Sequence, residues 1–153
     1  MKKTEIEQYI FGSILLISNK MQVWGDNILS DLTLKQWFLL FLISKMEKTD
    51  PTINEIAQYS GTSRQNVKKM LEQLERKKYL RTKKSKVDAR ALNVILLKKT
   101  FDYFKENEQK AEEVVNQIFS EMTDEELIVT KQTFDKLHIF FGNPRLDGQK
   151  WKD

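Results

Sequence analysis

The sequence predicts a mainly α-helical protein with a small β-hairpin wing, that is, a winged helix-turn-helix flanked by N- and C-terminal helices. Three observations predict this fold class. Only five glycines and two prolines interrupt 153 residues, which favours helices joined by short loops. Two apolar-periodic segments within 53–76 are separated by a tight turn at Gly61, which is helix-turn-helix spacing. After residue 78 the apolar period changes from helical to strand-like.

The composition argues against several classes of enzyme and membrane protein. The chain has no cysteine and a single histidine, His138, which excludes disulfides and cysteine nucleophiles and disfavours Ser-His-Asp chemistry and multi-histidine metal sites. The first residues lack the apolar core of a signal peptide, and the longest strongly apolar stretch, 37–43, is too short to span a bilayer. We therefore expect a cytoplasmic protein that is not an enzyme, with no cofactor, no metal and no membrane partner.

Capping boxes predict where five helices begin. In this pattern an N-terminal Thr pairs with a Glu or Gln three residues later, and each side chain satisfies a backbone N–H of the first turn. Each pair here opens an apolar-periodic segment, so the two signals agree. The pairs are Thr4/Glu7, Thr33/Gln36, Thr52/Glu55, Thr62/Gln65 and Thr123/Glu126.

The first helix is expected over 4–24, ended by Gly25-Asp26-Asn27. An apolar stripe runs along it at steps of three and four, and Tyr9, Phe11, Leu15, Leu16 and Val23 add apolar surface outside that stripe. One water-facing helix does not need so much apolar surface, so a partner chain is predicted. The second helix, 34–46, is apolar nearly all round and is expected to be the buried centre of the fold.

The third helix, 53–59, leads through Gly61 into a fourth helix whose apolar residues follow the i, i+3, i+4, i+7 pattern: Val67, Met70, Leu71 and Leu74. The opposite face is then polar and cationic. Extended segments at 79–83 and 91–97 predict a hairpin, and its basic connection at 84–89 has no Gly or Pro to fix a turn type. Helices over 101–119 and 124–141 follow, and residues 143–153 are expected to be a tail.

The positive charge is concentrated in one segment. Residues 62–90 contain eleven Lys or Arg against three Asp or Glu, a local charge of +8, although the whole chain carries only +4. A basic block in an otherwise mildly acidic chain indicates a surface that meets phosphate, because each neutralised phosphate releases condensed counterions. For a lysine run taken alone, a solvated helix face is the alternative.

The same segment resembles the MarR (multiple antibiotic resistance regulator) family. Residues 62–81 read Thr-Ser-Arg-Gln-Asn-Val-Lys-Lys-Met-Leu-Glu-Gln-Leu-Glu-Arg-Lys-Lys-Tyr-Leu-Arg, and Asp88-Ala-Arg90 follows. In that family the fourth helix is followed by Leu-Glu-x-x-Gly-x-x-x-Arg and by a wing bearing Asp-x-Arg. The order of elements agrees over 5–141, and the specific motifs fall within 54–97.

The sequence departs from the family pattern at two places. Lys78 stands where the family usually has glycine, so it must either adopt a left-handed helix cap or end the helix differently. The glycine common just after the second strand of the wing is absent around 98–100. Both departures are local.

The resemblance implies a homodimeric, sequence-specific regulator of transcription that binds double-stranded DNA. It implies a repressor on a pseudo-palindromic operator, one that a small aromatic effector could release. The domain organisation implied is an N-terminal dimerisation helix over 1–31, a winged helix-turn-helix over 32–97 and C-terminal dimerisation helices over 98–142.

Physical chemistry suggests roles for the fourth helix and the wing. Gln65 and Asn66 suit adenine and Lys69 suits guanine in the major groove, while Ser63 at the helix N-terminus suits a phosphate. Arg90 resembles the family's minor-groove arginine, with Asp88 fixing its orientation; a surface ion pair between the two is the alternative. The predicted DNA-binding residues are Thr62, Ser63, Arg64, Gln65, Asn66, Lys68, Lys69, Gln73, Lys83, Lys84, Lys86, Asp88 and Arg90.

Four aromatic side chains, Trp24, Trp37, Phe38 and Phe41, are candidates for an effector site, with ordinary core packing as the alternative. His138 is interpreted as a packing or surface residue.

Two further hypotheses compete with DNA binding. One is a winged-helix adaptor whose basic face binds acidic protein partners, and the other is a hydrolytic or transfer enzyme, which the lack of catalytic groups disfavours.

Overall fold

Six α-helices and one two-stranded antiparallel sheet make up the part of the chain described by a computed structural model, residues 2–146. In chain order they are α1 (Lys3–Ile28), α2 (Leu34–Lys45), α3 (Ile53–Ser60), α4 (Arg64–Arg76), β1 (Leu80–Lys84), β2 (Leu92–Leu96), α5 (Lys98–Ile118) and α6 (Asp124–Phe140). The predicted winged helix-turn-helix fold is confirmed. Residues 147–153 of the expected tail lie outside the described residues.

The chain divides into two compact units, residues 1–39 and residues 40–153, each described by itself. In the first unit, Gly25 does not end α1, contrary to the sequence-based prediction. The helix continues to Ile28, and Gly25 is buried within it. A Cβ on Gly25 would lie 2.8 Å from Cδ2 of Leu34. Glycine is therefore needed here for the close approach of α2, and it does not act as a helix stop.

Three of the predicted capping boxes are confirmed, and they fix the starts of α2, α3 and α6. In each, the Thr hydroxyl accepts the N–H three residues ahead and the Glu or Gln side chain accepts the Thr N–H. They are Thr33/Gln36, Thr52/Glu55 and Thr123/Glu126. The start of α2 is further fixed because Asp26 Oδ1 accepts the N–H of Leu34 at 2.7 Å.

The other two predicted capping boxes, Thr4/Glu7 and Thr62/Gln65, are wrong. The observed N-cap is Lys2, two residues before Thr4, in α1 and Ser63, one residue after Thr62, in α4. At the N-terminus, the Glu5 carboxylate accepts the N–H of Lys2 at 2.8 Å, and the helix has already begun at Lys3. At α4, the N–H of Thr62 still bonds the Ala57 carbonyl at 3.3 Å and so belongs to the end of α3. The backbone becomes extended only at Ser63, and Ser63 is therefore the N-cap of α4.

The core of the second unit surrounds the helix-turn-helix and the hairpin. The hairpin pairs residue 80 with residue 96 and residue 84 with residue 92, and the loop before α3 adds an isolated bridge between Thr52 and Asn93. Val94 donates its N–H to the Pro51 carbonyl at 2.8 Å. Apolar burial then locks α3, α4 and the hairpin together. The buried apolar side chains of this unit are Leu40, Leu42, Ile43, Ile53, Ile56, Ala57, Val67, Leu71, Leu74, Tyr79, Leu80 and Val94.

The helices at both ends of the chain leave large apolar side chains in contact with water. No residue of α6 is buried, and only Gly25 is buried in α1. The exposed apolar residues include Tyr9, Phe11, Leu15, Leu16, Ile17 and Val23 on α1, and Ile128, Val129, Ile139, Phe140 and Phe141 on or beside α6. Among residues 2–146, no helix has both the length and the apolar character required to cross a membrane.

Candidate nucleic-acid interface

The recognition surface predicted on α4 begins at a side-chain cap. Ser63 is extended, at φ −68° and ψ 147°, and its Oγ accepts the N–H of Asn66 at 3.2 Å. The first turn contains no acidic residue, so nothing offsets the partial positive charge of the helix N-terminus. Ser63, Arg64, Gln65 and Asn66 are all exposed, which makes this end of α4 suited to an anion or to polar base edges.

The outward face of α4 carries cations that the rest of the described chain leaves available. Arg64 and Lys69 are exposed and form no ion pair within residues 2–146. Lys68 lies 4.0 Å from Glu72, at the limit of an ion pair, and both side chains are more than half exposed. Such a pair is worth little in water. These side chains can therefore turn to a phosphate without breaking a strong contact.

The turn between α4 and β1 contains a lysine in the left-handed conformation. Lys78 has φ 63°, its N–H bonds the Glu75 carbonyl at 2.9 Å, and the N–H of Tyr79 bonds the Leu74 carbonyl at 3.0 Å. These two bonds define a Schellman cap, which favours glycine at this position. Of the two outcomes expected for a lysine at this position, the structure therefore shows the left-handed helix cap.

The start of α5 holds this turn in place. Tyr79 is buried, and its carbonyl accepts the Thr100 hydroxyl at 2.5 Å. The Lys99 ammonium lies 4.2 Å from the centroid of the Tyr79 ring and donates to the Lys77 carbonyl at 2.9 Å. The ring of Tyr103 meets that of Tyr79 edge-on at 5.7 Å. The path from α4 into the wing is thus fixed by side chains from a third element.

The tip of the wing is ordered by hydrogen bonds from two short polar side chains. Ser85 Oγ accepts the N–H groups of Val87 and Asp88 at 3.2 and 3.3 Å. Asp88 Oδ1 accepts the N–H of Arg90 at 2.9 Å, and the N–H of Ala91 bonds the Asp88 carbonyl at 2.9 Å. Serine and aspartate thus shape a connection that has neither glycine nor proline.

This geometry changes the role expected for Asp88. The carboxylate was expected to hold the guanidinium of Arg90, but in the structure it holds the backbone of that residue. Arg90 is exposed, and its guanidinium makes no ion pair or hydrogen bond within residues 2–146. The alternative of a surface ion pair is therefore not what the structure shows. Lys84 and Lys86 are likewise exposed.

Lys83 differs from the other wing cations because it already has an acidic partner. Its ammonium lies 3.0 Å from Asp50 Oδ2, and the two side chains are 39% and 35% exposed. The hydrogen bond from Lys83 lowers the pKa of the Asp50 carboxyl, and Asn93 contributes in the same direction. Asn93 Nδ2 also donates to the Asp50 carbonyl at 2.7 Å. A phosphate would have to compete with Asp50 for Lys83.

The predicted DNA-binding residues lie on three consecutive parts of the chain. These are α4 with the two residues before it, the end of β1, and the connection at the tip of the hairpin. Thr62, Gln73 and Lys83 are half-buried, and the rest are exposed. Two residues that shape this region are not among the predicted ones, namely Ser85 at the wing tip and Glu75 near the end of α4. A serine three residues before Asp88 in a connection without glycine was the available signal for the first.

The candidate effector residues fall in both units. Trp24 is exposed and Trp37 half-buried in the first unit, where Phe38 is 40% exposed. Phe41, in the second unit, is half-buried, with the Lys45 ammonium 5.3 Å from its ring centroid. Their role as an effector site stays a prediction.

His138 is half-buried, and its Nδ1 lies 3.2 Å from Asn143 Nδ2. Residues 2–146 contain no group of three or more acidic or histidine side chains that could hold a metal ion.

Comparison with solved structures supports the fold. MepR of S. aureus, solved as a DNA complex, is 24% identical with a TM-score of 0.73, covering 86% of this chain and 94% of its own. Sco3205, a MarR family transcriptional regulator of Streptomyces coelicolor solved with DNA, is 17% identical with a TM-score of 0.76, covering 90% and 88%. The organohalide-sensing regulator RdhR, solved with 2,4-dichlorophenol, is 16% identical with a TM-score of 0.77, covering 92% and 85%.

The family resemblance is confirmed by a match to a family model. No curated protein matches the sequence significantly, but the model of the MarR family matches residues 30–91. This range starts before α2 and ends at the tip of the wing, so it contains the capped α4, the left-handed turn at Lys78 and the Asp88-x-Arg90 motif. Over residues 30–91 this chain is therefore similar to the MarR family.

Proposed function

We propose that the protein is a sequence-specific regulator of transcription that binds double-stranded DNA as a homodimer and represses from a pseudo-palindromic operator. The observation that carries this proposal is the pairing of two cationic elements through one ordered turn. The first is the exposed N-terminal half of α4, and the second is the wing tip with its unpaired Arg90 guanidinium. Both elements are held by the same buried core, so neither must fold on contact with DNA.

The α4 helix is the element that would enter the major groove, which is about 12 Å wide and admits one helix. Its first turn would reach base edges and phosphates before the rest of the helix. Gln65 and Asn66 can each bond adenine through two atoms, and Lys69 can donate to guanine. Arg64 and Lys68 can contact either a base or a phosphate.

The wing is the element that would reach the flanking minor groove. An arginine gains energy from the deepened negative potential of a narrow A·T-rich groove. Arg90 is suited to this role because its backbone is fixed by Asp88 while its guanidinium makes no other contact in the described chain. Lys84 and Lys86 would contact phosphates beside it, with little dependence on sequence.

The homodimer is supported by the exposed apolar surface of α1, α5 and α6. Phe11, Leu16 and Val23 on α1 are more than half exposed, and Phe140 beside the end of α6 is 80% exposed. Apolar exposure on this scale marks interaction sites more often than open surface. A symmetric pair would place its two α4 helices about 34 to 36 Å apart, which is one turn of DNA.

The relatives of known structure support both parts of the proposal. MepR and Sco3205 were solved with DNA, and RdhR was solved with 2,4-dichlorophenol. We extend the second case to this chain and propose that Trp24, Trp37 and Phe38, which lie in the first unit, bind a small aromatic effector. Such a ligand would cause the protein to release DNA if it favours a dimer in which the spacing of the two α4 helices does not match one turn of DNA.

Binding measured against salt concentration tests the DNA proposal. The logarithm of the association constant should fall linearly with the logarithm of salt, by about 0.9 for each phosphate contacted. The probe is a labelled duplex of mixed sequence followed by fluorescence anisotropy. An acidic protein of similar charge is the control for binding by charge alone. The proposal is wrong if the duplex does not bind, or binds no better than the acidic protein at every salt concentration.

Titration with 2,4-dichlorophenol tests the effector site separately. Quenching of tryptophan fluorescence in the wild-type protein, reduced in Trp37→Phe and Phe38→Ala, is the expected result. Unchanged quenching in both variants would place the ligand elsewhere, without bearing on DNA binding.

A further inference from the structure

We propose that Glu75 is a positioning residue that fixes the wing at the angle to α4 at which both can contact one DNA duplex. This inference rests on the proposed function, and it concerns a residue that contacts no DNA itself. Glu75 is half-buried at the inner side of the last turn of α4. Its carboxylate reaches across to β1 and contacts a single residue there, Thr82.

The contact joins the two elements through three short distances. Glu75 Oε1 accepts the backbone N–H of Thr82 at 2.5 Å, and the Thr82 hydroxyl lies 3.0 Å from Oε1 and 3.2 Å from Oε2. Hydrogen bonds to a charged acceptor are stronger than neutral ones. One carboxylate therefore holds both the backbone and the side chain of the middle residue of β1.

The chain between Glu75 and Thr82 is short and its conformation is fixed. The contact between these two residues therefore controls the angle between α4 and β1. Only four residues, 76–79, lie between Glu75 and the start of β1, and they include the left-handed Lys78 and the buried Tyr79. The backbone of Glu75 takes part as well, because its carbonyl accepts the N–H of Lys78 at 2.9 Å. Without the carboxylate, β1 keeps its pairing with β2 but loses its direct bonds to α4.

Two linked binding elements gain affinity only when their geometry allows simultaneous contact. A wing that swings relative to α4 must be ordered when DNA binds, and this ordering costs affinity. Glu75 matters for binding because it removes that cost. This role predicts a result opposite to that of simple electrostatics, because loss of an acidic group near DNA should strengthen binding.

The matched control is Glu72, three residues earlier on the same helix. Glu72 is exposed and approaches only Lys68, at 4.0 Å. Both Glu72→Ala and Glu75→Ala remove one negative charge from α4, but only the second removes a contact to β1. We expect Glu72→Ala to bind DNA as tightly as the wild type or more tightly, and Glu75→Ala to bind about fivefold to twentyfold more weakly.

A double-mutant cycle with Arg90→Ala identifies the element through which Glu75 acts. The probe is the duplex most enriched by the wild-type protein from a random-sequence pool. If Glu75 positions the wing, the losses in Glu75→Ala and Arg90→Ala are less than additive in the double variant, because the main wing contact is already lost in Arg90→Ala. Additive losses, or wild-type affinity in Glu75→Ala, overturn the inference. Failure of the wild-type protein to bind any duplex would instead reject the proposed function.

Two further measurements keep the test decisive if Glu75→Ala folds poorly. Glu75→Gln retains an oxygen that can accept the Thr82 N–H, so it should restore most of the affinity. If Glu75 acted only through its charge, both Glu75→Ala and Glu75→Gln would behave like Glu72→Ala. Amide hydrogen exchange at Thr82, without DNA, should be faster in Glu75→Ala than in Glu75→Gln. Equal exchange in these two proteins and the wild type would show that the carboxylate does not hold β1.

Discussion

The carboxylate of Asp88 accepts a hydrogen bond from the backbone N–H of Arg90 at 2.9 Å, and it does not bond the guanidinium of that residue. The acid therefore shapes the loop and leaves the arginine charge unneutralised by direct contact. An ion pair in this position would have to break before the guanidinium entered a minor groove. The observed arrangement separates the two tasks, with one residue ordering the backbone and the other left available for DNA.

This separation predicts different effects for substitutions at the two positions. Arg90→Ala should weaken DNA binding by about 1 to 3 kcal/mol, and Lys84→Ala should weaken it less and almost equally for all sequences. Asp88→Asn keeps an oxygen that can accept the Arg90 N–H, so it should bind better than Asp88→Ala. Fluorescence anisotropy on a specific and a scrambled duplex measures all four. Wild-type affinity in a folded, dimeric Arg90→Ala protein would remove the wing from the mechanism.

The left-handed conformation of Lys78 predicts a stabilising substitution. At φ 63° a residue with a Cβ is disfavoured, by about 1 to 2 kcal/mol where the conformation is fully left-handed. Lys78→Gly should therefore raise the free energy of unfolding by about 1 kcal/mol. Its neighbour Lys77 has φ −80°, so Lys77→Gly serves as the control and should not stabilise. Urea unfolding of the two variants decides the point, and an equal effect of both would contradict it.

The two glycines of α1 predict opposite responses to the same substitution. Alanine is favoured over glycine by about 1 kcal/mol inside a helix, and Gly12 has no neighbour within 4 Å of an added Cβ. Gly12→Ala should therefore stabilise the protein. At Gly25 the new Cβ would lie 2.8 Å from Leu34 Cδ2 and 3.0 Å from Leu34 Cβ, so Gly25→Ala should lose that gain or destabilise. Equal shifts in thermal midpoint for both variants would show that α2 does not approach α1 at Gly25.

The capping carboxylates predict how stability depends on pH. The N–H of Thr52, bonded to Glu55 Oε2 at 2.6 Å, lowers the pKa of Glu55 from its ordinary value of 4.5, and Lys48 adds to this. The N–H of Thr123 similarly lowers the pKa of Glu126. Since these pKa values are lower in the folded state, the stability they provide is present above pH 4.5 and is lost as the pH falls through the folded pKa values.

Glu55→Gln separates this effect from general acid denaturation. The variant should be less stable than the wild type at neutral pH, and the difference should shrink as the pH falls below the ordinary Glu pKa of 4.5. Urea unfolding at a series of pH values measures it. A difference that stays constant across the acid range would show that Glu55 does not contribute through its charge.

Local patterns predicted the helix-turn-helix well, because its determinants are close in sequence. The i, i+3, i+4, i+7 stripe fixed the buried face of α4 around Val67, Leu71 and Leu74, and the outward cations followed from it. The family pattern predicted either a left-handed cap or a different helix end at Lys78, and the structure shows the first. These features depend on helix geometry and on the conformation of a single residue.

Features that depend on contacts between elements could not be predicted in this way. Gly25 appeared to be a helix stop, because its packing against Leu34 arises only when α2 folds back. The pairing of Lys83 with Asp50 joins residues far apart in the sequence. The bond from Thr82 to Glu75 connects a strand to a helix, and no spacing rule links the two.

Selection of duplexes from a random-sequence pool by the purified protein tests the central claim most directly. Our account predicts enrichment of inverted repeats whose half-sites lie about one helical turn apart, with A·T-rich sequence where the wings would lie. The Arg90→Ala protein should keep the half-site preference and lose the A·T preference beside it. If the selected duplexes show no sequence enrichment over the starting pool, the account is contradicted.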